Sequence, residues 1–175
     1  MLTFTSITQH KRGILASLLV RSYAAIPETD PQFWDEERSK WHRFDREAFD
    51  NPDTVGKCVF VTCLDGRPIG FGSFDPRPAP ELGRIGHNCI LPEFRGRGFG
   101  KNQIDEILRR LSRLGVRKAA VSTGDHPFFL PARKMYEACG FRETGWHMPD
   151  PNPGFGIIEY EREMQPFSGG PHEVD

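Results

Sequence analysis

The chain has 175 residues, of which 37% are hydrophobic and 27% charged, and its formal net charge is −1. This length suits one domain with a packed core, and the composition excludes a disordered chain. A near-neutral charge gives no indication of nucleic-acid binding, which usually needs a basic face.

Hydrophobic periodicity and turn residues divide the chain into strands and helices. Lys11 and Arg12 precede an apolar stretch that imitates a signal peptide, but Arg21 interrupts it. We therefore expect an amphipathic helix there and no membrane-spanning segment.

In chain order, the predicted elements are strand 2–8, helix 11–25, a break at Pro27–Pro31, helix 33–49, strand 57–64, strand 67–74, strand 83–91, helix 101–114, strand 118–122, helix 132–139, strand 141–147 and strand 155–163.

The unit from Gly83 to Ser122 has a strand–helix–strand order, which predicts a parallel strand pair. Asp65-Gly66 predicts a hairpin turn between two earlier strands. We therefore expect an α/β chain with a mixed sheet and helices on both faces. It should form a single domain over residues 1–165, followed by a frayed tail over residues 166–175.

The cysteines show no C-x-x-C pair and no dense scaffold spacing. Free thiols in a reducing cytosol are the simplest interpretation, so we expect a cytoplasmic protein. No pair of side chains has zinc-ligand spacing, and no metal site is expected. The four cysteines are Cys58, Cys63, Cys89 and Cys139.

The segment with the strongest chemical signal is Pro92-Glu93-Phe94-Arg95-Gly96-Arg97-Gly98-Phe99-Gly100-Lys101, between a predicted strand and a strongly periodic helix. Its glycines permit a tight turn with bare amides, and the helix adds the positive end of its dipole. These features predict a phosphate cradle, although an ordinary glycine-rich turn remains the alternative. The G-x-G-x-G spacing does not match a dinucleotide loop. A Walker loop would need Gly at Arg95 and Ser or Thr at Asn102.

The loop Arg95–Gly100 resembles the acetyl-CoA loop of the GNAT superfamily, R/Q-x-x-G-x-G/A. A second segment, Ala132-Arg133-Lys134-Met135-Tyr136-Glu137-Ala138-Cys139-Gly140-Phe141, resembles the family pattern A-x-x-x-Y-x-x-x-G-F. The resemblance extends from about Cys58 to Glu163. It implies the GNAT fold, with a mostly antiparallel twisted sheet and one parallel strand pair, and an acetyl-CoA-dependent N-acetyltransferase that needs no metal.

The resemblance also implies roles for individual residues. Tyr136 would lie near the CoA sulfur and donate a proton to the leaving thiolate, although its apolar helix face also fits a core tyrosine. Phe129 departs from the family, because many members have an Asn there that contacts the cofactor. The residues expected to bind the cofactor are Asn88, Cys89, Ile90 and Leu91 through the backbone of the strand, and Arg95, Gly96, Arg97, Gly98, Phe99, Gly100 and Lys101 in the loop.

Direct transfer requires the acceptor amine to lose a proton, so a general base would help. His87 and Glu81 precede the loop, and His87 has the more suitable intrinsic pKa, although a lone strand histidine is more often structural. Asp125 and His126 are weaker candidates. Cys89 could in principle accept the acyl group, but a small buried residue is the better interpretation.

The residues do not identify the acceptor. An acidic and aromatic segment would suit a cationic amine, but a buried aromatic stripe on a solvated helix fits better. We expect an amine of a small molecule or peptide, no nucleic-acid or membrane partner, and a monomer or homodimer. The alternatives are a catalytically silent CoA-binding module and, less favoured, a nucleic-acid binder. The segment contains Phe33, Trp34 and Trp41 among Asp30, Asp35, Glu36 and Glu37.

Overall fold

The computed structural model describes residues 1–26, 31–150 and 152–165. The predicted tail over residues 166–175 and most of the predicted break at Pro27–Pro31 lie outside them. The elements are β1 (Leu2–Ser6), α1 (Ile14–Tyr23), α2 (Pro31–Asp50), β2 (Val59–Leu64), β3 (Arg67–Asp75), β4 (Gly83–Ile85), β5 (Cys89–Ile90), α3 (Phe99–Arg113), β6 (Lys118–Gly124), α4 (Leu130–Ala138), β7 (Arg142–His147) and β8 (Ile157–Glu163), with short 3₁₀ turns between some of them.

The strands form one sheet in the order β1-β2-β3-β4-β6-β8-β7, and β5 pairs with β3. β4 and β6 are parallel, with Gly83 opposite Ala119, and the other pairs are antiparallel. This confirms the predicted mixed sheet with one parallel pair. The hairpin between β2 and β3 turns at Asp65 and Gly66, whose positive φ angles of 49° and 78° fit the predicted tight turn.

Helices cover both faces of the sheet. Val59 and Val61 of β2 belong to a buried cluster with α1 and α2, whereas Phe60 belongs to a second cluster with α3 and α4. Successive side chains of a strand point to opposite faces, so the two clusters lie on opposite sides. None of the helices in the described part of the chain combines the length and the apolar character needed to cross a membrane.

The single strand predicted over residues 83–91 is wrong, because it is interrupted between β4 and β5. The Gly86 amide donates to the Ser73 carbonyl oxygen over 3.0 Å, and Ser73 Oγ donates to the His87 carbonyl oxygen over 2.7 Å. A Cβ on Gly86 would lie 2.7 Å from Ser73 Oγ, so glycine permits this close approach. After the interruption β5 pairs with β3 but not with β6, which leaves a gap in the sheet between β5 and β6.

The first helix begins at Ile14, later than predicted, because Asp45 of α2 binds its N-terminus. The buried Asp45 carboxylate accepts hydrogen bonds from the amides of Gly13 at 2.7 Å and Leu15 at 2.9 Å. A carboxylate at this end also interacts favourably with the helix dipole. A side chain distant in sequence thus holds α1 and α2 together.

Asp45→Asn is expected to lower the free energy of unfolding by about 2 kcal/mol, because it removes charge-assisted hydrogen bonds to buried amides. Urea denaturation would measure the change. Asp50→Asn is the matched control, since Asp50 lies on the same helix and is half-exposed in its ion pair with Arg12. Equal stability of the two variants would contradict the capping role.

Candidate active site

The predicted phosphate loop is followed directly by α3. Gly98 is the N-cap of that helix and has a φ of 82°, and Gly96 has a φ of 72°. Gly98 has no side chain to accept from the first-turn amides, which therefore remain available to a ligand. A Cβ built on either glycine would meet nothing within 4 Å, so the space before the loop is open. This arrangement suits an anion.

A cleft of about 460 Å³ extends from this loop between β5 and α4. One edge of β5 pairs with β3, and the other edge lies along the cleft because no described strand pairs with it. Most of the predicted cofactor residues line the cleft: Asn88, Cys89, Ile90, Arg95, Gly96, Gly98, Gly100 and Lys101.

Three predicted cofactor residues do not line the cleft. Leu91 is fully buried, and its amide donates to the Ile69 carbonyl oxygen over 2.8 Å. The Arg97 guanidinium lies over the Phe99 ring, 5.3 Å from its centroid. Leu91 thus contributes a hydrogen bond to the sheet. Arg97 and Phe99 stack on each other beside the loop.

The basic side chains of the loop already have partners. Arg95 donates from Nε to the Ile90 carbonyl oxygen over 2.9 Å and from a terminal nitrogen to the Ser22 carbonyl oxygen over 2.8 Å. Lys101 pairs with Asp105 over 2.7 Å. Arg95 therefore joins β5 to α1 as well as adding positive charge to the cleft.

The sequence prediction did not include several residues of the cleft wall. Gln103 lies in the first turns of α3, is buried, and accepts from Thr62 Oγ1 over 2.6 Å. Ala132 and Met135 could have been predicted from the sequence, because they share a helical face with Tyr136. The additional lining residues are Tyr23, Gln103, Phe128, Phe129, Pro131, Ala132, Lys134 and Met135.

Tyr136 is a core residue whose hydroxyl reaches the site. It is only 4% exposed, and its ring packs against Phe141 and Tyr160. Its Oη accepts a hydrogen bond from Asn88 Nδ2 over 3.2 Å. Burial raises the pKa of Tyr136, and the bond from Asn88 opposes that rise. The hydroxyl is therefore protonated at neutral pH.

A second cavity, of about 580 Å³, lies on the other side of Asn88 and contains His87. His87 also contacts the Phe44 ring edge-on, with centroids 5.1 Å apart. Its surface stays accessible from the cavity, but desolvation by the walls lowers its pKa below the usual value. The imidazole is therefore neutral at pH 7 and can accept a proton. Residues common to the two cavities are Tyr23, Asn88, Phe129 and Ala132.

The other candidate bases have structural partners. Glu81 is exposed and pairs with Arg117 over 2.7 Å, outside both cavities. Asp125 accepts from the Gly156 amide and from Trp146 Nε1, at 2.9 and 2.8 Å. The His126 ring accepts from the backbone amide two residues ahead. His87 is the histidine that lies in a cavity beside Tyr136.

Burial raises the pKa of Cys89 to about 11, so its thiol is protonated and not suited to accept an acyl group. The four cysteines are unpaired. Residues 1–26, 31–150 and 152–165 contain no group of three His, Cys, Asp or Glu side chains that could hold a metal ion.

The aromatic residues of α2 form the predicted buried stripe. Trp34 is 2% and Trp41 4% exposed, and both pack against Tyr23. Together with Phe33 and Glu37 they also line the second cavity. Asp30, the first acid of the predicted segment, lies outside the described residues.

Comparisons with known proteins bear on the fold and the family. No curated protein matches the chain. Among solved structures, a Desulfovibrio desulfuricans protein assigned to the GNAT family has a TM-score of 0.71 at 19% identity, covering 93% of this chain and 99% of that one. The ribosomal-protein-S18-alanine N-acetyltransferase of Escherichia coli has a TM-score of 0.63 at 13% identity, covering 100% and 99%.

A Bacillus anthracis protein described as a streptothricin acetyltransferase, solved with acetyl coenzyme A, has a TM-score of 0.54 at 19% identity over 61% of each chain. At these identities the likeness shows the fold. The family model for the acetyltransferase (GNAT) family matches residues 18–141, which include the loop, Asn88 and Tyr136. The chain belongs to the acetyltransferase (GNAT) family.

Proposed function

We propose that the protein transfers an acetyl group from acetyl-CoA to a primary amine of a small molecule or peptide by direct attack of the amine. The observation that carries this proposal is that the cleft and the second cavity share a wall at Asn88, beside the Tyr136 hydroxyl. A donor in the cleft and an acceptor in the second cavity would therefore meet at a proton donor. The Escherichia coli neighbour is named for an alanine acceptor, and the Bacillus anthracis neighbour was solved with acetyl coenzyme A.

The residues present fit acetyl-CoA. The amides at the start of α3 and the open space before Gly96 and Gly98 suit a pyrophosphate. The free edge of β5 offers backbone groups to the amides of the pantetheine arm. When bound, acetyl-CoA supplies an activated acetyl group as a thioester. The protein supplies the positions of the two reactants, which removes much of the entropic barrier.

Proton transfer in this proposal uses two side chains of the second cavity, His87 as the base and Tyr136 as the acid. The neutral His87 imidazole takes the proton that the amine loses, directly or through a water molecule. The Tyr136 hydroxyl gives its proton to the departing thiolate, and solvent later restores it. Both residues line the second cavity. The reaction leaves an amide and a free thiol and requires no metal or redox step.

Thiol release from acetyl-CoA, measured with a panel of amines, tests the function. The panel would contain an alanine-initiated peptide, a polyamine, an aromatic monoamine and free amino acids. Amine-dependent thiol release above hydrolysis is the expected result. Tight acetyl-CoA binding without turnover on any amine would instead favour the silent CoA-binding module, for which Phe129 in place of the usual Asn is the supporting observation.

The pH profile tests His87 as the base. For an amine of high pKa, log kcat/KM should rise by one for each pH unit below that pKa, because only the neutral amine attacks. His87, as a base whose pKa is lowered below 6.5, should become protonated at still lower pH. There the slope of log kcat/KM against pH should increase from one to two. His87→Gln should lower kcat/KM and remove the second slope.

His42→Gln is the matched control for this profile, since His42 is exposed on α2 and lines neither cavity. It should retain both slopes. A second slope that persists in His87→Gln would assign the titration to another group.

A further inference from the structure

The Asn88 side chain makes two contacts at the interruption between β4 and β5. Its Nδ2 lies 3.2 Å from the Gly86 carbonyl oxygen and 3.2 Å from Tyr136 Oη. An amide nitrogen carries two hydrogens, so it can donate to both oxygens at once. The side chain therefore links the interrupted strand to the tyrosine on α4.

The Gly86 carbonyl determines which way the Asn88 amide faces. A carbonyl oxygen only accepts hydrogen bonds, so the group next to it must be the NH₂ of Asn88 and not its oxygen. The reversed amide would place two acceptors against each other. Because the same NH₂ faces Tyr136, Asn88 can only donate to the phenol oxygen and cannot accept its proton.

The direction of the hydrogen bond from Asn88 to Tyr136 determines what the phenol can do where the two cavities meet. The Tyr136 hydrogen is not used by Asn88, so the hydroxyl can donate it elsewhere. A hydrogen bond donated to the phenol oxygen also stabilises the negative charge that develops as the proton leaves. Asn88 lines both cavities, so this contact lies where the donor and acceptor would meet.

We infer that Asn88 is a positioning residue for Tyr136: its amide, oriented by the Gly86 carbonyl, directs the phenol proton toward the reacting centre and stabilises the phenolate. The inference rests on the proposed function of Tyr136 as the proton donor. It concerns the side chain of Asn88, whereas the resemblance implied only backbone contacts for this residue. The other titratable groups close to Tyr136 are Cys139, Tyr23 and Tyr160, and burial raises the pKa of each.

The first test does not depend on turnover. The chain contains three tyrosines, so fluorotyrosine labelling gives three ¹⁹F signals, which Tyr-to-Phe variants assign. Fluorination lowers the pKa of each phenol and so brings its titration to a less alkaline pH. Asn88→Leu should move the Tyr136 midpoint to higher pH by removing the donor. Asn88→Asp, of nearly the same shape, should move it further because an acceptor and a charge replace the donor.

The second test is a double-mutant cycle with the best amine of the panel. Asn88→Leu should lower kcat roughly tenfold and change the acetyl-CoA affinity less than about threefold. In the Tyr136→Phe background the same substitution should change kcat less than about twofold, because the oxygen it acts on is gone. Thermal melting of each variant checks that the fold is retained.

Two results would overturn the inference: an unchanged Tyr136 midpoint in both Asn88 variants, or an equal loss of kcat in both backgrounds. Either would leave Asn88 with a structural role and the proposed transfer intact. Unchanged turnover in the single variant Tyr136→Phe would instead exclude Tyr136 as the proton donor. Acetyl transfer itself would stand in that case, since the absence of turnover on every amine in the wild type is the result that contradicts the proposed function.

Discussion

Gly98→Glu is expected to abolish acetyl-CoA binding. Its side chain would enter the open space in front of the α3 amides, and its carboxylate would meet the pyrophosphate. Two like charges about 4 Å apart near a protein surface repel by about 4 kcal/mol, and the added bulk increases the penalty. Calorimetry should show an affinity at least about a hundredfold lower than that of the wild type.

Two control variants separate this effect from backbone strain. Gly66 has a φ of 78° and open space around it in the β2–β3 hairpin, so Gly66→Glu introduces the same strain outside the cleft. Gly98→Ala introduces strain at the loop without charge. Gly66→Glu should bind acetyl-CoA normally, and Gly98→Ala should lose less than Gly98→Glu. Unchanged affinity in Gly98→Glu would refute the location of the phosphate site.

Tyr136→Phe should lower kcat about a hundredfold while the acetyl-CoA affinity changes little, because it removes the proposed proton donor and leaves the ring in the core. Stability should fall by only about 1 kcal/mol, since one hydrogen bond from Asn88 is lost. Steady-state kinetics and calorimetry on the same preparation would measure the two effects.

Tyr160→Phe is the matched control for the tyrosine. Tyr160 is buried, lies 6.2 Å from Tyr136 between ring centroids, and lines neither cavity. Its removal tests whether any lost hydroxyl in this cluster slows turnover. Equal turnover in Tyr136→Phe and wild type would assign Tyr136 to the core alone.

Local patterns in the sequence predicted the fold well because they repeat within each element. The apolar face of α3 and the strand–helix–strand order around it indicated the parallel pair of β4 and β6, which the structure confirms. The loop was predictable for the same reason, since its glycines and the following helix are contiguous. Contacts between distant residues were not predictable in this way.

The missed features all depend on such contacts. The interruption after β4 depends on the Ser73 hydroxyl of a neighbouring strand, and the start of α1 depends on Asp45 of α2. The sequence favoured His87 over Glu81 as the base on intrinsic pKa alone, and it could not show that Glu81 pairs with Arg117. Spacing alone gives no information about which partner a charged side chain finds.

The residues shared by the two cavities limit how specificity can change in this protein. Under the proposed function, in which the cleft holds the acyl donor and the second cavity the acceptor, a substitution at Ala132 or Phe129 alters the wall of both, so an adaptation to a new acceptor there also disturbs the donor. Changes at Trp41 or Phe155 reach the acceptor side alone, and changes at Lys134 reach the donor side alone. New amine preferences should therefore arise first on α2 and in the segment before β8, where they do not disturb the donor side.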